Sequence, residues 1–235
     1  MITHRVGAKE KIRFPVSVCR FAEGAGRPVH AHDAAEKGMI WKNGAGRKSP
    51  FLSGVMMEDM VIRTRRLTAG TWRGEDTQEF IRMNADSRVM RYFPRPLSPA
   101  ESMRFLERII REMDACGYGL FAVRERESER FVGFVGLHRF DFAADFAPGV
   151  EVGWRLLPEY WGRGYAPEMA AACLAYARDR LGLERVHAFT AVVNRPSERV
   201  MEKIGMQRVK EFDHPALEAG HPLSRHVLYV ACLRT

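Results

Sequence analysis

The stretch from Val150 to Leu181 constrains the fold more than any other, because it predicts a strand, a tight glycine turn and a helix in direct succession. Val150, Val152 and Trp154 recur with the period of two that is typical of a strand with one buried face. Pro158 lacks an amide hydrogen, so the ladder of hydrogen bonds cannot continue through it and we expect the sheet to separate there. The following helix carries apolar residues at spacings of three and four among alanines, a pattern that favours close packing on a sheet.

The turn Trp161-Gly162-Arg163-Gly164-Tyr165-Ala166 places two glycines directly before this helix. Bare backbone amides and the positive end of the helix dipole converge at such a point, which predicts an anion site. A glycine turn also begins many helices for backbone reasons alone. The turn is not a dinucleotide fingerprint, because Pro167 stands where a third Gly or Ala is needed, and no Gly-Lys-Ser/Thr closes it as a Walker loop.

Four segments, in the same order, resemble motifs of the GNAT superfamily of acyl-CoA N-acyltransferases. The turn resembles its pyrophosphate loop, Gln/Arg-x-x-Gly-x-Gly/Ala, with Trp161 in the first position; that departure is familiar in the RimJ/RimL-like branch, which includes ribosomal-protein N-terminal acetyltransferases. The other segments that resemble this branch are Thr64-x-Arg66-Leu67, Val89-Met90-Arg91-Tyr92-Phe93-Pro94, and Asn194-x-x-Ser197 with Glu202-Lys203-x-Gly205-Met206. The resemblance spans about residues 60 to 235.

The resemblance implies an α/β (α+β) fold with a mixed, mostly antiparallel sheet of six or seven strands flanked by helices on both faces. It also implies an acetyl-CoA-dependent N-acetyltransferase in which a primary amine attacks the thioester directly. The alternative is a domain of the same fold that binds acetyl-CoA as a sensor or scaffold without turnover. The residues expected to hold the acyl donor are Trp154, Leu156, Trp161, Gly162, Arg163, Gly164, Tyr165, Ala166 and Asn194.

Two residues are candidates for proton transfer. Glu151 lies on the strand expected to hold the thioester, where it acts either as the general base or as the partner of a nearby arginine. Ser197 resembles the residue proposed in this branch to protonate the leaving thiolate, but a serine in the first helical turn is also an ordinary helix-start residue. Asn194 has the same ambiguity between a contact with pantetheine and a helix cap.

The acceptor pocket is expected beside the loop that carries Arg91, Tyr92 and Phe93. The alternative is that the two rings only pack this loop onto the sheet. No strong base stands out, which favours an amine of low pKa. An α-amine, with a pKa near 7.7 to 8.0, is partly neutral at physiological pH, whereas a lysine amine near 10.4 needs more help.

Periodicity and turn residues predict the other elements. Ser98-Pro99-Ala100-Glu101 is a capping box that begins a helix ended by Gly117. We expect a first strand over 62–72 and a short helix over 76–83, then strands over 119–125 and 131–140. A strand over 185–193 follows, then a helix between Asn194 and Gly205, and closing strands over 206–212 and 226–232.

The basic character of the chain, formally +8 over 235 residues, comes mainly from its N-terminal segment. Residues 1–57 carry ten Lys and Arg against four Asp and Glu, whereas residues 58–235, the expected acetyltransferase domain, carry 27 against 25. The composition of residues 1–57 predicts a flexible extension. It is either a consequence of a start assigned too early, since Met56, Met57 and Met60 precede the domain, or a basic tail with weak attraction to ribosomes or RNA.

The remaining expectations concern environment and partners. Cys19, Cys116, Cys173 and Cys232 show no metal-ligand spacing and are typical of reduced packing thiols in a cytoplasmic protein. We expect no metal and no membrane contact, since the longest apolar run is too short for a bilayer. The expected partner is a small-molecule or peptide amine, bound by a monomer or homodimer.

Overall fold

The structure is a computed structural model that describes residues 62–233, so the expectations for residues 1–57 and for Cys19 lie outside it. Its strands are β1 (Ile62–Arg63), β2 (Leu67–Gly70), β3 (Leu120–Glu125), β4 (Phe131–Phe140), β5 (Gly149–Leu156), β6 (Arg185–Ala191), β7 (Gln207–Asp213) and β8 (Arg225–Cys232). Its helices are α1 (Asp76–Ala85), α2 (Pro99–Cys116), α3 (Tyr165–Asp179) and α4 (Arg195–Lys203). None of these helices is long and apolar enough to cross a membrane.

The strands of this described region form one eight-stranded sheet in the order β1-β2-β3-β4-β5-β6-β8-β7. Every neighbouring pair is antiparallel except β5 and β6, which are parallel. The helices α1 and α2 cover one face, where Phe80 and Phe105 pack on Phe134 of β4. On the opposite face, Tyr176 of α3 packs edge-on against Phe121 of β3. The mixed sheet with helices on both faces confirms the predicted fold class.

The first predicted strand is divided in two. Thr64 turns the chain: its amide donates to the carbonyl of Leu67 at 2.9 Å, and its hydroxyl accepts the Leu67 amide at 3.0 Å. Ile62 and Arg63 then pair back on Ala69 and Thr68. The prediction of six or seven strands was therefore wrong, because a turn at Thr64, inside the expected first strand, adds a short edge strand.

The ends of α2 confirm the predicted start and stop signals. The Ser98 hydroxyl accepts the Glu101 amide at 3.3 Å, and the Glu101 carboxylate accepts the Ser98 amide at 2.9 Å. Gly117 adopts a left-handed conformation, with φ of 72°, and its amide closes the last turn on the Met113 carbonyl. Helix α1 runs two residues beyond its predicted end, to Ala85.

The cysteines differ in burial. Cys173 on α3 is fully buried, and burial raises the pKa of its thiol to about 12, as suits a packing residue. Cys116 is half-buried and Cys232 is exposed at the end of β8. The prediction that the cysteines serve packing was therefore wrong for Cys232. This residue ends an apolar strand, but it is exposed.

An ion pair between Asp76 and Arg124 fixes α1 on the sheet. Both residues are almost fully buried, at 2% and 3% exposure, and the carboxylate accepts from the guanidinium of Arg124 on β3. The same carboxylate accepts the amide of Arg73 at 2.7 Å, in the turn that enters the helix. The start of α1 is thus bound to the middle of the sheet by charge as well as by apolar packing.

Replacing Asp76 by Ala is expected to lower the free energy of unfolding by about 3–5 kcal/mol, because it leaves the Arg124 charge buried and unpaired. Glu79→Ala is the matched control, since Glu79 lies in the same helical turn and pairs with Arg82 at the surface. Such an exposed pair contributes about 1 kcal/mol or less. Equilibrium denaturation of both variants measures the difference, and equal losses would contradict a structural role for the buried pair.

Candidate active site

The sheet opens between its two parallel strands. Only Glu151 of β5 and His187 of β6 are paired, whereas β5 continues to Leu156 and β6 to Ala191. The predicted separation is therefore present, but it begins directly after Glu151 rather than at Pro158. A cleft lined by unpaired backbone follows from this geometry.

The backbone groups that face the cleft follow from the ladder between β4 and β5. The Leu157 amide donates to the carbonyl of Val132, on the neighbouring strand β4, at 3.0 Å. Because backbone groups of an antiparallel strand point to alternate sides, those of Trp154 and Leu156 point away from β4 and into the cleft. The Leu156 carbonyl is already used, since the indole of Trp161 donates to it at 2.9 Å. Leu156 is among the residues expected to hold the acyl donor, and its carbonyl is not free for that contact.

The glycine turn lies at the mouth of the cleft. Gly162 and Gly164 have φ of 73° and 78°, left-handed values that favour glycine, and open space surrounds Gly162. Within residues 62–233, no acceptor bonds the amides of the segment from Gly162 to Ala166. Gly164 caps α3 without a side-chain bond, so these amides and the positive end of the helix dipole stay available to an anion.

Charged contacts from the start of the described chain hold this turn. Glu168, in the first turn of α3, accepts from the hydroxyl of Thr64 at 2.6 Å and pairs with Arg66 at 2.6 Å. Arg66 also donates to the carbonyl of Arg163 at 2.8 Å and stacks on the ring of Tyr165. The threonine turn that divides the first strand therefore positions the glycine turn more than 90 residues later in the chain.

Glu151 points to the face of the sheet that carries α1 and α2, and it pairs with His138 rather than with the expected arginine. The two residues lie directly opposite each other on β5 and β4. Burial lowers the pKa of His138, but the Glu151 carboxylate beside it outweighs that effect and the pKa rises to about 9. The imidazole is therefore protonated at neutral pH, and Glu151 carries its charge in an ion pair.

One oxygen of Glu151 remains available. Oε1 contacts His138, whereas Oε2 is buried and has no hydrogen-bond partner among residues 62–233. A buried carboxylate oxygen without a donor is unfavourable, so an N–H or O–H of a ligand would be bound there with little competition.

Asn194 and Ser197 stand at the start of α4, beyond the end of β6. The Asn194 side chain accepts the Ser197 amide at 3.3 Å, as a helix cap does, and donates to the hydroxyl of Thr190 at 2.8 Å. Both side chains are half-buried. The cap accounts for Asn194 without a ligand, and a role of either residue toward substrate stays a prediction.

Two aromatic regions flank Glu151. On one side Phe93, 40% exposed, lies over the guanidinium of Arg155, while Arg91 lies over Tyr92. On the other side a cluster of rings covers the ends of β4, β6, β7 and β8; it comprises Phe140, Phe142, Phe146, His187, Phe189, Phe212, His214 and His226. Burial lowers the pKa of His187 and of His226, so these histidines are neutral ring partners in the cluster.

This arrangement is suited to acyl transfer from a phosphorylated carrier. The free amides of the glycine turn provide an anion site, the cleft provides backbone groups for an amide-containing arm, and a carboxylate lies at the point where the strands part. Such a site, on a mixed sheet opened between two parallel strands, is that of an N-acyltransferase.

The comparison with protein families agrees. Residues 66–207 match the family described as the acetyltransferase (GNAT) domain. The chain therefore belongs to the GNAT family of N-acetyltransferases, in its RimJ/RimL-type group, and is an acyltransferase. Members of this family use acetyl-CoA.

The relatives span almost the whole described region. An uncharacterized N-acetyltransferase, YnaD, of Bacillus subtilis is 30% identical over 149 residues, which cover 63% of this chain and 84% of the relative. A GNAT-family acetyltransferase of Bacillus anthracis has 29% identity and a TM-score of 0.62, and the match covers 74% of this chain and 99% of the other.

More distant structures show the same fold. A putative ribosomal-protein-serine acetyltransferase of Vibrio cholerae has 21% identity and a TM-score of 0.61, covering 75% of this chain and 99% of the other. A spermidine N-acetyltransferase of Vibrio cholerae, solved with CoA and spermine, has 18% identity and a TM-score of 0.58, covering 72% and 97%.

Sequence reasoning missed the partners of the site residues. His138 belongs to no motif, and the strand alternation that places Glu151 gives no register with β4. The role of Thr64 and Arg66 as supports of the glycine turn was also missed, although the motif itself had been noticed. Glu168 in the first helical turn was the available signal, because an acid there suits a helix start and needs a basic partner.

The ion pair of His138 and Glu151 yields a prediction for the titration of His138. In the wild-type protein the His138 imidazole is expected to titrate near pH 9, and in Glu151→Gln its pKa is expected to fall, since burial is then opposed only by the smaller contributions of Glu112 and of the Arg139 backbone. The stability contributed by this raised pKa is complete below about pH 6.5 and disappears as the pH rises to about 9.

Histidine NMR chemical shifts measure both titrations. His214 is the internal control: burial lowers its pKa to about 4, with a smaller contribution from His226. An unchanged His138 titration in the variant would contradict the ion pair.

Proposed function

We propose that the protein transfers the acetyl group of acetyl-CoA directly to a primary α-amine, which binds at Glu151. The observation that carries the proposal is the unpartnered Oε2 of Glu151, a buried acceptor beside the opening of β5 and β6. An amine nitrogen that donates there would lie next to the cleft in which the acyl donor is expected.

The acyl donor is assigned to the cleft and its mouth. Amides of the segment from Gly162 to Ala166 would bind its pyrophosphate, and the backbone of Trp154 would bind its amide-rich arm. Trp161 fixes the turn by its bond to Leu156 rather than by offering a free donor. The positive φ of both glycines supports this role, because side chains there would crowd the face on which the amides are exposed.

The charge state of Glu151 bears on the acceptor. A carboxylate removes a proton more readily from an amine of low pKa than from one of high pKa. An α-amine meets that condition better than a lysine or polyamine nitrogen. A putative ribosomal-protein-serine acetyltransferase shares this fold, and a peptide with a free α-amine is the acceptor class that we infer.

The reaction needs no covalent enzyme intermediate. The acceptor ammonium releases a proton to Glu151, its nitrogen then forms a bond to the thioester carbonyl carbon, and the carbon–sulfur bond breaks. Of the two protons still on the nitrogen, one passes to water as the amide forms and the other stays in the amide. The thiolate of CoA takes up a proton from the Ser197 hydroxyl, which water then reprotonates, or from water directly, and Glu151 returns its proton to the solvent. The thiolate is a tolerable leaving group, so the role of Ser197 is the less demanding of the two.

Glu151→Gln is expected to lower kcat for a serine-initiated peptide by roughly 10²–10⁴-fold, the usual contribution of a general base, while leaving KM for acetyl-CoA nearly unchanged. Glu112→Gln is the matched control, because Glu112 also acts on the charge of His138 but bonds the Arg139 amide instead of facing the cleft. Thiol release with each variant gives the comparison.

Two outcomes would contradict the proposal. One is an equal loss of kcat in both glutamine variants. The other is exclusive acetylation of an N-terminally blocked lysine peptide by the wild-type protein, which mass spectrometry of the products would reveal.

Gly164→Ala is expected to weaken acetyl-CoA binding about tenfold, because a left-handed alanine costs about 1–2 kcal/mol and the turn must shift to relieve it. Gly182→Ala provides the control: Gly182 has a φ of 63° and open surroundings, but it lies after α3 at the far end of the helix. Both variants should lose similar stability, whereas calorimetric titration should show weaker binding only for Gly164→Ala. Equal affinity in the two variants would remove the glycine turn from the acyl-donor site.

A further inference from the structure

Arg155 is a half-buried residue with a fully buried Nε, and the reaction above does not use its charge. It lies on β5 four residues after Glu151, on the same face of the strand. Three rings surround its guanidinium carbon, with centres at 4.2 Å for Phe93, 5.3 Å for Phe134 and 5.6 Å for Phe105. Burial alone lowers its pKa to about 10, so it is still a cation at neutral pH.

No carboxylate compensates this cation among residues 62–233. Its hydrogen-bond partner there is the neutral side chain of Asn84 on α1, whose Oδ1 accepts from Nη1 at 2.6 Å. Arg124, the other deeply placed arginine on this face, is paired with Asp76. Contacts with aromatic rings are worth about 0.5–2 kcal/mol each and offset only part of the cost of an isolated buried charge.

Two N–H groups next to this charge find no acceptor in the part of the chain that the structure describes. They are Nε of Arg155 and Nδ2 of Asn84, both buried, and Asn84 itself is 0% exposed. The orientation of the Asn84 amide is fixed, because its oxygen must face the guanidinium. The group missing here must therefore accept hydrogen bonds and carry negative charge. A water molecule meets the first requirement, whereas a carboxylate meets both.

The position of Arg155 on β5 suggests that the missing anionic group belongs to the acceptor substrate. Phe93 covers the guanidinium from the loop between α1 and α2, and its 40% exposure makes it the outer wall of the site. At about 3.3 Å per residue, Arg155 lies roughly 13 Å along the strand from Glu151. An acceptor that places its amine on Glu151 can reach Arg155 with a second group, once the Phe93 ring turns aside.

We propose that Arg155 and Asn84 bind a carboxylate of the acceptor, so that the substrate is an α-amine that carries an acidic group about three peptide residues away. The inference rests on the proposed function, since the amine is placed at Glu151. A short peptide with an acidic third residue and an elongated amino acid offer the same chemistry.

The test uses paired acceptors that differ only in charge. One pair is Ser-Ala-Glu-amide and Ser-Ala-Gln-amide; the second is 8-aminooctanoate and 8-aminooctanamide, which represents a small-molecule source. Wild-type kcat/KM is expected to be roughly 10–100-fold higher for the acidic member of at least one pair, the usual effect of a charge-assisted hydrogen bond. Preference in the first pair identifies a peptide, and preference in the second identifies an amino acid.

Arg155→Met should abolish this preference while leaving kcat/KM for Ser-Ala-Gln-amide within about threefold of wild type. Arg108→Met is the matched control, because Arg108 also lies over Phe105, at 5.3 Å. Asn84→Asp supplies a second variant, which tests the site even if the Arg155→Met protein does not fold. Its new carboxylate would pair with Arg155, so the variant should unfold at higher denaturant concentration and lose the preference at the same time.

The outcomes separate the two proposals. Equal rates for both members of both pairs in the wild-type protein, or a preference that persists in Arg155→Met or Asn84→Asp, would overturn the carboxylate site while leaving α-amine acetylation in place. Failure of the wild-type protein to acetylate either serine peptide, together with acetylation of a blocked lysine peptide, would instead overturn the proposed function.

Discussion

The separation of β5 from β6 after Glu151 is the constraint on which the rest of the site depends. If the two strands stayed paired to their ends, the sheet would use the backbone groups of Trp154, and no cleft would open between them. Contacts on both sides keep the strands apart. The Trp161 indole occupies the Leu156 carbonyl on the β5 side, and Asn194 bonds Thr190 at the end of β6. The glycine turn is in turn held by Arg66, so the edge of the sheet, the turn and the cleft form one connected unit.

Charge is distributed differently in the framework and in the site. The pair of Asp76 and Arg124 is buried and holds α1 to the sheet, although Nε of Arg124 has no hydrogen-bond partner. Around the cleft the charges themselves are incompletely paired within residues 62–233, since Glu151 keeps one oxygen without a donor and Arg155 has no carboxylate. Unpaired buried polar atoms lower stability, and a folded protein tolerates few of them. Three of the five such side-chain atoms among residues 62–233, in Glu151, Arg155 and Asn84, lie on or beside one face of β5, and this is the physical argument for binding there.

The sequence predicts those parts of the structure that local chemistry determines. The capping box at Ser98, the left-handed glycine that ends α2 and the glycine turn before α3 each need only a few neighbouring residues, and they appear as predicted. Contacts between strands depend on register, which alternation alone does not supply. The pairing of Glu151 with His138 and the bond between Arg155 and Asn84 could therefore not be derived from the sequence. The turn at Thr64 was missed for a related reason, because its hydroxyl also bonds Glu168, which lies 104 residues later in the chain.

The charges on this face also bear on the choice among acceptors. Polyamines carry several cations and no anion, so a polyamine nitrogen at Glu151 would bring further positive charge toward Arg155, which has no counter-ion among the described residues. In a partly buried site such repulsion is poorly screened. The likeness to a spermidine N-acetyltransferase, at 18% identity, extends to the fold and leaves this local charge pattern untouched. Opposite charges separated along β5 are instead complementary to a molecule that has an amine at one end and an acid farther along, and this complementarity distinguishes the acceptor site more sharply than the fold does.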